Sequence, residues 1–412
     1  MSRPPLGSAL HVFGLSIAWY SLLIMTAVVI GIWLATREER RLQLPRDTIL
    51  NFALLAIPLA VVGARLYYVA FTLNRYQNDL LEIFRVWNGG LAIYGAMLGG
   101  LLAAILYAFS AKVPLPALLD ACVPALALGQ AIGRWGNYTN MEAYGSRVYD
   151  EALQFFPFAV EIRLLGANGT EYWYWHMATF FYEFVWCLVV FLILMASRKR
   201  MKRRGDTLCW YLLLYCAGRT VIEGLRDDSL LFSVAGAQVR VSQLLSALVC
   251  VGVIVVFFLR LQKRHKPRLA ELLCWCVVAS GVACALVGEF ERNAYQSLFL
   301  PAQILVALLF AFDISFFVHY TRRMKKLCTP AIWMLAAASL CAVTLLFGIG
   351  RREEASAVYF AFRQLVAMFH VCLAGVWFYL RTDPFRRRRA RRQVFEAETE
   401  ALVLSGAESE EG

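Results

Sequence analysis

The chain has 412 residues; 60% are apolar, 14% aromatic and only 17% charged, and the mean hydropathy is +0.58. Ordinary globular domains carry about a quarter charged residues, and this chain has too few polar groups to cover a water-facing surface. The composition excludes a soluble enzyme, a disordered chain and a disulfide-rich secreted fold, and it points to a polytopic membrane protein. The net charge of +12 would suggest nucleic acid in a soluble protein; here it is expected from Lys- and Arg-rich cytoplasmic loops, so no nucleic-acid partner is expected.

The hydropathy pattern predicts an all-α transmembrane helical bundle. Eleven candidate spans lie near 14–36, 48–72, 89–110, 113–133, 176–197, 207–225, 241–260, 271–289, 299–320, 330–349 and 359–380. Each is long enough to cross roughly 30 Å of hydrocarbon at about 1.5 Å per residue. Several, the second, fourth, sixth and ninth among them, contain a charge. The first span ends in Arg37-Glu38-Glu39-Arg40-Arg41 and is longer than a signal-peptide core, so it is expected to remain as an anchor. With the loop at 37–47 taken as cytoplasmic, alternation places 27 of the 41 basic residues on the cytoplasmic side and 11 outside. Arg65, Arg219 and Arg363 fall within spans. That asymmetry predicts an N-terminus outside and a C-terminus in the cytoplasm.

Three parts are expected along the chain. Residues 1–265 form a seven-span core with an outer loop at 134–175, and residues 266–385 form a four-span membrane extension of unassigned role. Residues 386–412 are basic and then acidic, and are expected to be a disordered cytoplasmic tail whose basic block favours anionic membrane lipid. The eleven cysteines are an odd number, none of them in an outer loop, which argues against structural disulfides. Cys274-x-Cys276 is too apolar to suggest a metal site. There is no P-loop, dinucleotide fingerprint, HExxH or GxSxG elbow. Any reaction is expected to use substrate and side chains alone, with no cofactor and no metal.

The densest constellation runs from Gly129 to Gly145: Gly129-Gln130-Ala131-Ile132-Gly133-Arg134-Trp135-Gly136-Asn137, then Asn140, Glu142 and Gly145. A snorkelling Arg at a capped helix end would account for Arg134 alone. Two amides and a carboxylate at such tight spacing are costly near hydrocarbon and favour function. A second group is Tyr215, Arg219 and Glu223, on one helix face at i, i+4 and i+8, followed by Arg226. Arg219 and Glu223 form a simple ion pair on the bland reading. Two arginines at similar depth, however, make a phosphate clamp in a dry site. The third group is Trp87-Asn88-Gly89-Gly90 with Tyr94, at a close-packed or broken helix start. It is no better than even for function by itself, since interfacial Tyr is common; the same holds for Trp19-Tyr20. Asp120 and Arg65 are expected in packing or ion pairs. Glu183 is placed to orient one of the arginines, and His176 is expected at a solvated outer boundary. Asp313, His319, Arg363 and His370 form no spacing assignable to chemistry.

At these residues the sequence resembles the bacterial phosphatidylglycerol–prolipoprotein diacylglyceryl transferase family. The resemblance rests on Gly133-Arg134-x-Gly136-Asn137-x-x-Asn140-x-Glu142-x-x-Gly145, a specific signature. It is extended by Ala18-Trp19-Tyr20, Trp87-x-Gly89-Gly90, Tyr182-Glu183, Tyr215–Arg226 and Val241–Ser246, over roughly residues 12–262. It implies seven spans and transfer of the diacylglyceryl group of phosphatidylglycerol to the thiol of a preprolipoprotein lipobox cysteine, with release of glycerol 1-phosphate. It implies catalytic roles for Arg134, Arg219, Tyr20, Tyr94 and Glu142. Arg134, Asn137, Asn140, Gly145, Tyr215, Glu223 and Arg226 would bind substrate. In many members His, proposed as the base, stands where this chain has Tyr94, and a His-Pro pair stands where it has Met177-Ala178. A Tyr with an unperturbed pKa of about 10 is a poor base at neutral pH, so Tyr94 either donates or relays, or the proton takes another path. A phospholipid transporter or flippase and a non-catalytic lipoprotein-binding scaffold are the rival readings.

Overall fold

The first helix begins later than hydropathy suggests. In a computed structural model of the chain, two short strands precede it. Strands β1 (Ala9–Val12) and β2 (Leu15–Ala18) pair antiparallel from Ala9↔Ala18 to Val12↔Leu15. Helix α1 (Trp19–Leu42) follows, so Tyr20 lies in its first turn. The helix also carries Arg37–Arg41, which hydropathy had assigned to a loop, and buries Glu38 and Glu39. The structure describes residues 9–12, 15–77, 79–165, 169–201, 203–227, 229–234, 237–262, 364–365, 368–376 and 379. The expected spans 271–289, 299–320 and 330–349, much of 359–380, and the tail 386–412 lie outside the described residues, as do Asp313, His319 and Arg363.

The remaining helices follow in order: α2 (Thr48–Phe71), α3 (Ile93–Ser110), α4 (Leu115–Asn140), α5 (Thr179–Ser197), α6 (Asp206–Glu223) and α7 (Val241–Gln262). Six of them are long and apolar enough to cross a membrane; α6 falls short because its 18 residues include Asp206, Arg219 and Glu223. The all-α expectation holds for the seven described helices but not for their connections. Besides β1–β2, strands β3 (Ala159–Leu165) and β4 (Glu171–Met177) pair in register from Ala159↔Met177 to Leu165↔Glu171. Strands β5 (Leu231–Val234) and β6 (Ala237–Arg240) form a third hairpin. The run Tyr172-Trp173-Tyr174-Trp175 is aromatic on both faces, a composition that favours a pleated strand over a helix.

By internal contacts the chain divides into two units, Met1–Leu231 with Arg240–Ser242, and Phe232–Val239 with Gln243–Gly412. In the first unit α4 is central, touching α1, α3, α5 and α6. Its small residues Ala117, Ala121, Ala127 and Ala131 are buried and let neighbouring helices approach closely. In the second unit α7 buries Ala247, Cys250, Ile254 and Phe257, and the Phe257 ring lies 5.5 Å from that of Tyr379.

The end of the first unit opposite the β3–β4 hairpin is tied by carboxylates. Glu38 pairs with Arg41 at 2.5 Å and with Arg198, and Glu39 accepts from the Ile49 N–H at 2.7 Å. Asp120 is not in an ion pair among the described residues. Its oxygens accept from the Gly205 and Leu208 N–H groups at 2.6 and 2.8 Å, so it caps α6 from across the bundle. Arg65 is likewise in no ion pair among the described residues. It is 5% exposed and donates to the carbonyls of Ile83 (2.9 Å), Gly89 (2.6 Å), Gly90 (3.2 Å), Arg85 (3.4 Å) and Glu82. One guanidinium thus organises the segment leading to α3, in which Gly89 and Gly90 take φ values of 85° and 69°.

Candidate active site

Helix α5 buries Phe180, Glu183, Cys187, Val190 and Leu194, a stripe at three- and four-residue spacing with a single carboxylate in it. One turn further along, Trp186 lies over Gly218 of α6 and donates from Nε1 to the Leu214 carbonyl at 3.0 Å. A side chain at position 218 would collide with that ring. The close approach sets Glu183 beside Arg219, the residue after Gly218.

Glu183 is 2% exposed and bridges two arginines from two other helices. Its Oε1 lies 2.5 Å from Arg134 Nη2 of α4, and its Oε2 2.7 Å from Arg219 Nη1 of α6. The Tyr215 hydroxyl, one turn before Arg219, points at Oε1 from 3.5 Å. Arg219 Nη2 is 2.5 Å from Glu223 Oε2, and Arg226 Nη1 lies 4.0 Å from the same oxygen. The sequence expectation that Glu183 orients one arginine is therefore too small: it holds both. Arg240, which carried no signal in the sequence beyond its charge, donates to the Glu223 carbonyl.

From Arg134 the network continues along α4. Arg134 Nη1 donates to Asn137 Oδ1 at 3.3 Å. The side-chain N–H groups of Asn137 and Asn140 donate to Glu142 Oε1 at 3.2 and 3.1 Å. The expected loop at 134–175 therefore begins too early, because Arg134, Asn137 and Asn140 belong to α4, which stops at Met141 in a left-handed conformation. Helical geometry brings residues i and i+3 together, which is why Arg134 meets Asn137.

Tyr20 packs its ring on Gly136, where a Cβ would overlap it, and lies within electrostatic reach of Glu142 and Arg134. The Tyr94 hydroxyl shares a hydrogen bond of 2.9 Å with Ser242 Oγ and lies within electrostatic reach of Arg219. Tyr211 donates to Gln130 Oε1 at 2.9 Å and stacks on Tyr215 at 5.5 Å. Gly145 sits differently from the other expected site residues. It is in extended backbone, bonded through its N–H to the Met177 carbonyl at 2.9 Å and bridged to Arg226. A Cβ there would lie 2.7 Å from the Leu225 carbonyl oxygen and 2.8 Å from Thr179 Cγ2, so packing alone demands glycine. His176 is not at a solvated boundary. It is 6% exposed in β4, with Nδ1 2.8 Å from the Gly145 carbonyl.

Chemically, this is a pair of guanidiniums fixed by buried carboxylates. Each carries five N–H donors, of which Arg134 commits one each to Glu183 and Asn137, and Arg219 one each to Glu183 and Glu223. The remaining donors can bind one further anion of phosphate type. Among the described residues there is no group of three or more His, Cys, Asp or Glu able to hold a metal.

The family model described as prolipoprotein diacylglyceryl transferase matches residues 8–259. A phosphatidylglycerol–prolipoprotein diacylglyceryl transferase of Enterococcus faecalis is 40% identical over 266 residues, covering 63% of this chain and 91% of the relative. Similarly named proteins of Streptococcus suis and Listeria monocytogenes are 41% and 37% identical over 258 and 266 residues, covering 61% and 64% of this chain and 91% and 92% of theirs. The family model ends at residue 259, leaving the C-terminal stretch outside it, and as the model spans more than half of the sequence the chain belongs to the prolipoprotein diacylglyceryl transferase family.

Proposed function

We propose that this chain transfers the diacylglyceryl group of phosphatidylglycerol to the lipobox cysteine thiol of a preprolipoprotein, forming a thioether and releasing glycerol 1-phosphate. The observation that carries the reading is the buried Glu183 carboxylate joining Arg134 and Arg219 at 2.5 and 2.7 Å inside a bundle of apolar helices. In this reaction a cysteine thiolate attacks the glyceryl carbon, a C–S bond forms, and the C–O bond to phosphate breaks. Arg134 and Arg219 bind the phosphate and meet the charge that grows on the leaving oxygen. Asn137, Asn140 and Glu142 shape the head-group side of the site, and Tyr20 borders it. Tyr215 and Glu223 hold Arg219 in place, and Arg226 supports Glu223. Gly145 and Arg226 form the backbone floor. Tyr94, bonded to Ser242, serves as a hydrogen-bond donor or relay rather than as the base.

The protein is a multi-pass membrane protein, and we place it in the bacterial plasma membrane, as its bacterial relatives suggest, with membrane lipids around it. The charge asymmetry supports eleven spans, an outer N-terminus and a cytoplasmic C-terminus. Residues 1–265 are the transferase core, 266–385 an appended membrane module and 386–412 a cytoplasmic tail. The test is purified full-length protein with phosphatidylglycerol and a lipobox peptide. The expected result is a mass gain of one diacylglyceryl unit on the cysteine with equimolar glycerol phosphate. Lipid movement across vesicles without covalent product would overturn the reading in favour of a transporter, and neither product nor movement in favour of a scaffold.

A further inference from the structure

The same site raises an electrostatic problem that its substrate does not. The phosphodiester that enters carries one negative charge. When the glyceryl carbon passes to sulfur, the electron pair of the broken C–O bond stays on the phosphate, and the leaving glycerol phosphate becomes a monoester with a second pKa of about 6. The thiol's proton is lost to water or taken up by that monoester, so near neutral pH the product is mostly a dianion. A bare pair of arginines would hold the dianion more tightly than the monoanionic substrate, and the site would fill with its own product.

The buried carboxylates stand against that outcome. Glu183 uses both oxygens, one on each guanidinium, at 2.5 and 2.7 Å, and Glu223 takes the other terminal nitrogen of Arg219 at 2.5 Å. Both guanidiniums of the clamp are thus met by buried carboxylates before any phosphate arrives; Glu223 is shared with Arg226 at 4.0 Å, whereas both oxygens of Glu183 face the clamp. Both carboxylates are 2% exposed, so water screens them little. Among the described residues, Glu183 is the carboxylate that touches both members of the clamp.

We propose, resting on the transferase reading above, that Glu183 is a positioning residue that weakens the clamp for the dianionic product, so that release of glycerol 1-phosphate keeps pace with transfer. Its charge, and not only its shape, is what the site needs. Two probes of different charge test this on the full-length protein in nanodiscs. They are glycerol 1-phosphate, the dianion, and glycerophosphoglycerol, the monoanionic head group of the substrate. Wild-type protein is expected to bind the two within about threefold of each other. Glu183→Gln is expected to bind glycerol 1-phosphate at least about tenfold more tightly, with a smaller gain for the monoanion. Its kcat falls because product release becomes slow, while KM for phosphatidylglycerol does not rise, and its first turnover outpaces later ones. Glu183→Asp, which keeps the charge, restores weak product binding. The proposal is overturned if Glu183→Gln binds both probes more weakly, or loses activity without tighter product binding. It is equally overturned if wild-type protein binds the dianion a hundredfold more tightly than the monoanion, a measurement that stands even if the Gln variant does not fold. Failure of the transferase reading is distinct: wild-type protein would then add no diacylglyceryl unit to the peptide under any condition.

Discussion

Replacing Arg219 by Met separates what this arginine does for the fold from what it does for the reaction. Its two terminal nitrogens meet Glu183 Oε2 at 2.7 Å and Glu223 Oε2 at 2.5 Å, and both carboxylates are 2% exposed. Removing one partner of a buried pair leaves an uncompensated charge and costs about 3–5 kcal/mol. Glu183 retains Arg134 at 2.5 Å, whereas the charge that stays beside Glu223 among the described residues is Arg226 at 4.0 Å, so most of the loss is expected at Glu223. Glu223→Gln in the same chain removes that charge and should recover at least about half of the loss. The activity should behave differently. Loss of a donor aimed at a developing oxyanion costs about 10²–10³ in kcat, and neutralising Glu223 does not replace it. Urea unfolding in mild detergent and initial-rate lipidation of a lipobox peptide measure the two quantities on the same samples. If activity returns together with stability in the double variant, Arg219 is a structural ion-pair residue and the clamp is refuted.

Other consequences can be measured independently. Arg65→Met removes a buried cation from five carbonyls, with hydrogen bonds to charged groups worth about 1.5–3 kcal/mol each. Amide exchange over residues 82–92 should rise at least about tenfold, while that of α4 changes little. Asp120→Ala strips the acceptor from two N–H groups at the start of α6 and should cost about 2–5 kcal/mol by thermal or denaturant unfolding, with Asn recovering part of it. Gly136→Ala drives a methyl into the Tyr20 ring, an overpacking cost of about 1–3 kcal/mol, and should raise KM for phosphatidylglycerol. Tyr20→Ala in the same chain should recover the stability but not the KM. Truncation before residue 266 should leave lipidation measurable, since the family match ends at residue 259; complete loss in a folded truncation would make the extension part of the enzyme.

Much was legible from the linear chain because the governing physics is local. Hydrocarbon thickness fixes the length of an apolar run, so composition located the spans before any fold was considered. Charged groups in such runs are expensive, and Arg134, Arg219 and Glu223 stood out for that reason together with the polar residues spaced around them. Helical spacing also predicted the Arg219–Glu223 pair correctly, four residues apart on one face. Helix ends were less legible. Arg37–Arg41 and Arg134–Asn140 are polar, yet they continue their helices, because buried pairs and neighbouring amides satisfy them.

What the sequence by itself determined was the membrane environment and the residue types of the site we propose to bind phosphate. Tertiary structure decided which charges belong together. Nothing in the spacing of 134, 183 and 219 says that one carboxylate serves two arginines; that follows from Trp186 packing across Gly218 and from the central place of α4. The same holds for Arg65 and Asp120, whose partners are backbone groups up to 88 residues away and carry no side-chain signature to read. A buried charge announces its cost in the sequence, but its compensation depends on which helices meet.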